Sequence, residues 1–214
     1  MRFSIVVPTY EMFGKGLEFA KKNLESIKIQ TFKDYEIVII DSSHNDDIYN
    51  LSKNYELVKF IKNLTPGIAV NLNCGIRNIS GELIKILFQD ECFANENVLQ
   101  TINDNFKPED NWLFTGCSGY PNPSYNKTAC TLGTPSLMTM RNIDPLFFDE
   151  TFVFAVDFEY YNRMYERYGL PKIIQGCHII IGLGDHQVTN HTSQEVQRSE
   201  NARIIEMSKK LKRI

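Results

Sequence analysis

Short apolar runs alternate with helix-spaced segments through the first 120 residues. The run FSIVVP (3–8) is β-branched and closed by Pro8, the pattern of a buried strand. After it, GKGLEFAKKNLESIKIQ (14–30) sets Leu17, Ala20, Leu24 and Ile27 at helical spacing. A second strand, YEIVIID (35–41), ends at Asp41 and runs into the turn-forming and helix-capping SSHNDD. LVKFI (57–61) reads as a third. The segment TPGIAVNLNCGIRNISG (65–81) predicts a helix capped by Thr65, with Pro66 at its first position and Gly81 past its end. ELIKILF (82–88) predicts a fourth strand, ENVLQTINDNF (96–106) an amphipathic helix and NWLFTGCSG (111–119) a further strand.

The second half alternates less regularly. YPNPSYNKTACTLGTP (120–135) is a long Pro/Asn/Thr-rich loop. DFEYYNRMYERYG (157–169) predicts a helix stopped by Gly169, and PKIIQGCHIIIGL (171–183) one or two strands. SQEVQRSENARIIEMSKKLKR (193–213) predicts a polar terminal helix with a thin apolar stripe. Strands alternating with helices imply parallel βαβ units and a layered α/β domain with a mainly parallel sheet. Neither a repeat nor a low-complexity linker interrupts residues 1–214, so one domain is expected. In such sheets ligands gather at the carboxyl ends of strands. Three ends carry polar groups: Pro8-Thr9-Tyr10, Asp41-Ser42 and Gln89-Asp90-Glu91.

Composition narrows the class. The 214 residues carry a formal charge of −3 and are 43% hydrophobic, so no general basic field points to nucleic acid. The short basic KKLKRI reads as a solvated helix end. Five cysteines without a C-x-x-C pair argue against a disulfide framework and a zinc knuckle. The N-terminal apolar run is too short for a signal peptide, and no stretch approaches the roughly 20 apolar residues of a membrane span. A cytoplasmic protein is expected, with the sequons at Asn126 and Asn190 as chance matches.

Candidate chemistry centres on ILFQDECF (86–93), where an apolar strand ends in two adjacent carboxylates. Like charges side by side repel unless something offsets them. A hard divalent cation gripping a diphosphate would do so, and so would plain solvent. Asp157 opens a helix, as either an N-cap or first-turn acid or a general base. His178 sits in an apolar run and reads as a core histidine. His186 and His191 lie in a Gly/Asp/Asn/Thr loop, where an imidazole could join a metal shell; the glycines beside His186 favour it.

Taken in order, SIVVPTYE, YEIVIIDSS, GIAVNLNCGIRNISGELIKILFQDE and FDETFVFAVDFEYYNRMYERYG resemble the family 2 glycosyltransferases over roughly residues 2–170. The resemblance implies the GT-A fold, a Rossmann-like layered α/β/α domain with a nucleotide-sugar half (1–119) and an acceptor or catalytic half (120–214). It implies transfer of a sugar, with inversion, from a UDP- or GDP-linked donor to an acceptor hydroxyl, assisted by Mn²⁺ or Mg²⁺. Carried onto this sequence, Pro8, Thr9 and Tyr10 would lie against the base, Asp41 and Ser42 near base and ribose, and Asn71, Gly75 and Arg77 near ribose or diphosphate. Asp90 and Glu91, after Gln89, match the family's metal acids, with Phe88 replacing the leading acid. Ser136, in GTPSLMTMRN, would lie near the sugar. Asp157 would be the base, with Val156 in place of the common preceding Glu, and His186 and His191 would complete the metal site. Two other readings share these residues: a nucleotide-sugar-binding protein without transfer, and a nucleotidyltransferase. GKG at 14–16 is sparse for the second.

Overall fold

The computed structural model describes residues 1–124 and 132–211, so part of the 120–135 loop, with Asn126 and Cys130, lies outside the described residues. Among the described residues, eight strands form one sheet in the order β3-β2-β1-β4-β7-β6-β8-β5. In chain order they are β1 (Phe3–Thr9), β2 (Tyr35–Asp41), β3 (Val58–Lys62), β4 (Leu83–Ile86), β5 (Cys92–Phe93), β6 (Trp112–Cys117), β7 (Met138–Arg141) and β8 (Lys172–Ile180). The helices are α1 (Gly16–Lys28), α2 (Asp47–Ser52), α3 (Ile68–Ile76), α4 (Val98–Asn105), α5 (Val156–Tyr168), α6 (Val188–His191) and α7 (Gln194–Leu211).

The first four strands are mutually parallel, pairing Ile5 with Ile37, Val38 with Lys59 and Val6 with Ile86. β7 is antiparallel to both β4 and β6, and β5 is antiparallel to β8, whereas β6 and β8 run parallel. The sheet is therefore mixed but largely parallel. All seven residues of β1 are buried, as expected of a strand covered on both faces.

Helix α1 buries Ala20, Leu24 and Ile27, each apolar side chain contributing about 1.5–3 kcal/mol. Asn23 and Ser26 are buried too, so the inward stripe is centred away from Leu17, which remains 44% exposed at its margin. Helix α3 is shorter than expected. Gly67 takes φ 130°, which breaks the helical run, so Thr65 and Pro66 stay outside it and Thr65 N–H instead donates to Asn63 Oδ1. His178 is half-buried rather than a core residue, its Nδ1 lying 2.9 Å from the Gly176 carbonyl. The two-residue β5 is too short to leave a periodic signal, and it exists only through its pairing with β8.

Gly81 does not cap α3. It lies against β1, where an added Cβ would sit 2.6 Å from Ser4 N and 2.7 Å from Ser4 Oγ, while its own N–H donates to that hydroxyl at 2.8 Å. Backbone cannot step aside as a flexible side chain can. Gly81→Ala should lower unfolding free energy by about 1–3 kcal/mol, measured as a reduced urea midpoint at constant slope.

Candidate active site

The order β2-β1-β4 puts the three polar strand ends side by side. The chain proceeds outward from β1 to β2 and β3, then returns to place β4 on the other flank of β1. That reversal opens a crevice between the carboxyl ends of β1 and β4, the usual ligand position in an open α/β sheet.

Just past β4, Glu91 N–H donates to the Phe88 carbonyl at 2.9 Å, closing a turn over Phe88–Glu91. Asn23 holds it from α1, its Nδ2 donating to the carbonyls of Phe88 and Glu91 at 2.8 and 2.7 Å. The turn sends the two neighbouring carboxylates apart. Asp90 Oδ2 lies 2.9 Å from His186 Nε2. Glu91 goes inward, 4% exposed, and accepts from Thr134 Oγ1 at 3.2 Å. Burial raises the Glu91 carboxyl to about 8, opposed by hydroxyl hydrogen bonds from Ser136 and Thr134 and by Lys85. Lys85, fully buried in β4, donates to the Ser136 and Met138 carbonyls, and burial lowers its ammonium to about 7.

The four expected metal ligands therefore do not meet as a set. His191 is exposed, with its Nε2 on the Asp185 carbonyl at 2.6 Å and its ring stacked 4.4 Å from Phe13. No three His, Cys, Asp or Glu side chains converge among the described residues. Asp90 and His186 do converge. Gly182 lets the late loop approach, since a Cβ there would lie 2.6 Å from Asp90 Oδ2. Burial raises the Asp90 carboxyl, and the His186 hydrogen bond opposes the shift. With its proton on Nδ1, His186 would present a nitrogen beside that oxygen, an N,O pair that fits a Mn²⁺-like cation with further ligands from phosphate and water.

On the other flank several expected contacts are structural. Pro8 and Thr9 are buried in β1, leaving Tyr10 to reach the surface at 36% exposure. Asp41 is fully buried and saturated by Thr9 Oγ1 at 2.9 Å, Ser43 N and Oγ at 3.2 and 2.6 Å, and Lys62 Nζ at 3.0 Å. Gln89 is buried as a clasp, accepting from Tyr10 N–H at 2.9 Å and donating to the Gly16 carbonyl at 2.6 Å. Ser136, also buried, accepts from Phe88 N–H at 2.8 Å. Ser42 and Asn71 do meet: Asn71 Nδ2 donates to Ser42 Oγ at 2.6 Å and Asn63 Nδ2 donates to Asn71 Oδ1 at 2.7 Å.

Gly75 and Arg77 lie farther down α3. At roughly 1.5 Å per residue, Arg77 is about 9 Å along the helix axis from Asn71, moving away from the strand ends. Gly75 packs on Val6 and Ile40, where a Cβ would sit 2.8 Å from Ile40 Cδ1, and the Arg77 guanidinium lies 4.7 Å from the centre of the Phe147 ring.

Asp157 lies in the first turn of α5 and lines a cavity of about 150 Å³ with Phe88, Thr134, Phe154 and Val188. Phe88 is two residues before Asp90, and Val188 two after His186. The wall beside Asp157 thus includes chain neighbours of Asp90 and His186, although neither of those two side chains lines the cavity itself. The Asp157 carboxyl accepts from the Phe158 N–H at 2.9 Å, and burial raises it to about 6 against these backbone hydrogen bonds. A larger cavity of about 350 Å³ lies near Arg141 and Arg167, by the start of β6 and the end of β7. Arg141 there is spent on the carbonyls of Lys107, Pro108 and Asp110, and Arg167 on Asp144.

Asn23, Lys85 and Thr134 are not among the candidate residues that the sequence motifs mark, although each holds the Asp90 turn or its inward neighbour. Of these only Lys85 carries a signal in the sequence, a lone charge within the apolar LIKILF (83–88).

The profile of a protein family described as "Glycosyl transferase family 2" matches residues 4–168. The chain belongs to that family. An uncharacterized glycosyltransferase of Rickettsia conorii is 32% identical over 120 residues, covering 55% of this chain and 19% of that protein. A Campylobacter jejuni protein named GalNAc(5)-diNAcBac-PP-undecaprenol beta-1,3-glucosyltransferase is 31% identical over 114 residues, 49% of this chain and 36% of that one. The chain thus spans well under half the length of these two relatives. Among solved structures, S. aureus TarS 1-349 in complex with UDP-GlcNAc superposes with a TM-score of 0.72 at 18% identity, covering 92% of this chain and 65% of that one. The Pyrobaculum calidifontis mannosyltransferase PcManGT, in complex with GDP-Man and Mn²⁺, gives 0.65 at 14% identity over 86% and 57%. These likenesses show the GT-A fold. No helix among the described residues is long and apolar enough to cross a membrane.

Because the folded-state value of Asp157 lies above its ordinary 3.8, its favourable contribution is complete below about pH 3.8 and is lost as pH rises through about 6. Asp157→Asn should therefore stabilise the protein at pH 8 by on the order of 2–3 kcal/mol, a gain that shrinks towards zero near pH 4. Urea denaturation at the two pH values measures it.

Proposed function

We propose that this chain is a glycosyltransferase that moves a sugar from a nucleoside-diphosphate donor to an acceptor hydroxyl with inversion, Asp157 acting as general base. The observation that carries this reading is the cavity that Asp157 shares with Phe88 and Val188, the near neighbours of Asp90 and His186. On this reading Asp157, an acid in the second half of the chain, would approach the reacting sugar from the side opposite the Asp90–His186 pair. Family membership supports the reaction class. The nucleotides named in structures of the same fold (UDP, UDP-GlcNAc and GDP-Man) support a UDP- or GDP-linked donor.

On this reading residues 1–119 form the donor half, with Tyr10, Ser42 and Asn71 beside the nucleoside. Residues 120–214 supply the acceptor side. Asp90 and His186 would hold Mn²⁺ or Mg²⁺, which when bound neutralises charge on the departing diphosphate. Glu91 remains a buried support, linking the turn to Thr134. Asp157 takes the acceptor proton while that oxygen attacks the anomeric carbon. A base raised to about 6 is ionised at neutral pH yet basic enough to accept a proton, and Phe88, Phe154 and Val188 give the cavity beside it an apolar wall.

Assays with UDP-GlcNAc, UDP-glucose and GDP-mannose should release nucleoside diphosphate; pyrophosphate would mean nucleotidyl transfer instead. Asp157→Asn should lower kcat by about 10²–10⁴-fold, and wild-type kcat/KM should fall as pH drops below about 6. Near-normal turnover in that variant would remove Asp157 from the role.

Asp90→Asn should lose the Mn²⁺-dependent thermal shift caused by UDP or GDP, and Glu91→Gln should keep it. Equal loss in both variants would place Glu91 at the cation.

A further inference from the structure

Helix α7 lies outside the stretch matched by the family profile, yet it grips the segment leading to Asp157. Glu200 is only 4% exposed. One carboxylate oxygen accepts from Val153 N–H at 2.8 Å, and the other from Phe154 and Ala155 N–H at 2.9 and 2.8 Å. Ala155 is the N-cap of α5, which has no side-chain cap, so an acid from a distant helix takes up the donors just before it. Three hydrogen bonds to one buried charge are strong and directional.

Arg203, one turn along α7, holds the preceding residues. Its guanidinium donates to Thr151 Oγ1 at 2.8 Å and lies 3.8 Å from the centre of the Phe152 ring. Residues 151–155 are therefore clamped from one side of α7, and Asp157 follows two residues later. Val153, Phe154 and Asp157 all line the same cavity, so any slack in this segment would move the base and the wall together.

We infer that Glu200 is a positioning residue for Asp157: it acts through the backbone of Val153–Ala155, fixing the start of α5 and hence the carboxyl's reach into the cavity. This rests on the assignment of Asp157 as base. Because Glu200 contacts neither Tyr10, Ser42, Asn71 nor the Asp90–His186 pair in the hydrogen-bonded network, its loss should spare donor binding.

The test compares wild type, Glu200→Gln, Asp157→Asn and the double variant. The readouts are release of UDP or GDP from the sugar nucleotides and the Kd for UDP or GDP with Mn²⁺ from calorimetry. Glutamine keeps the size but turns an NH₂ towards backbone donors. Glu200→Gln should lower kcat about 10- to 100-fold, the scale of a roughly 1 Å misplacement, with nucleotide Kd unchanged within about twofold. The double variant should be no slower than Asp157→Asn alone. Arg203→Ala loosens the same clamp from an exposed position, so it supplies a milder drop in kcat if Glu200→Gln does not fold. Amide hydrogen exchange at 153–155 should quicken in either variant while β1 and β4 stay protected.

Unchanged kcat in a folded variant, parallel loss of kcat and nucleotide binding, multiplicative losses in the double variant, or unaltered exchange at 153–155 would each overturn the inference. Failure of the base assignment looks different: Asp157→Asn itself would then keep turnover, whatever Glu200→Gln does.

Discussion

A buried lysine joins the two halves of this sheet. Lys85 occupies β4, a strand otherwise made of apolar residues, and can remain there because its Nζ reaches the carbonyls of Ser136 and Met138 at the start of β7. This is also where strand direction reverses, from the parallel β1–β4 pair to antiparallel β4–β7. An unpaired ammonium in that position would cost several kcal/mol, so the contact constrains how the second half docks on the first. Ser136 extends the junction through Phe88 N–H, and Glu91 through Thr134. The turn bearing Asp90 is consequently fastened to both halves at once.

That fastening explains why adjacent acids play unlike parts. Asp90 meets His186 at the crevice, whereas Glu91 is folded into the junction, where burial favours its neutral form. The same division recurs around the crevice. Asp41, Gln89 and Ser136 have their polar atoms taken up by the protein, while Tyr10, Ser42 and Asp157 stand nearer its surface. A buried polar group that leaves no bond unmade rigidifies its surroundings, so the residues that look most chemical in a motif often serve as supports for those that face the ligand.

Helix α7 adds a third point of attachment. The family match ends at residue 168, but the loop before α5 takes its hydrogen-bond acceptor from Glu200. Family membership therefore describes the strand ends more fully than it describes what holds the segment before α5 in place. The α5 helix has an acid in its first turn and Gly169 at its end with φ 76°, so its limits follow local rules, whereas the segment leading into it is held by Glu200 of α7.

The alternation of apolar runs and helical periodicity was enough to determine the layered, largely parallel sheet and the three polar strand ends, because burial of a strand or helix face imposes a period that one sequence displays. The glycines beside His186 also carried a readable meaning, since close approach needs a missing Cβ. What the pattern could not contain was where each polar side chain points. Leu17 and the limits of α3 differed because stripe centre and backbone dihedrals are set by neighbours. Arg77 and Gly75 share a helix with Asn71 but lie further from the strand ends, and Glu91 left its neighbour Asp90 because a turn, a lysine and two hydroxyls drew it inward. Hydrogen-bond partners distant in the chain decide these outcomes, and only the folded molecule brings them within reach.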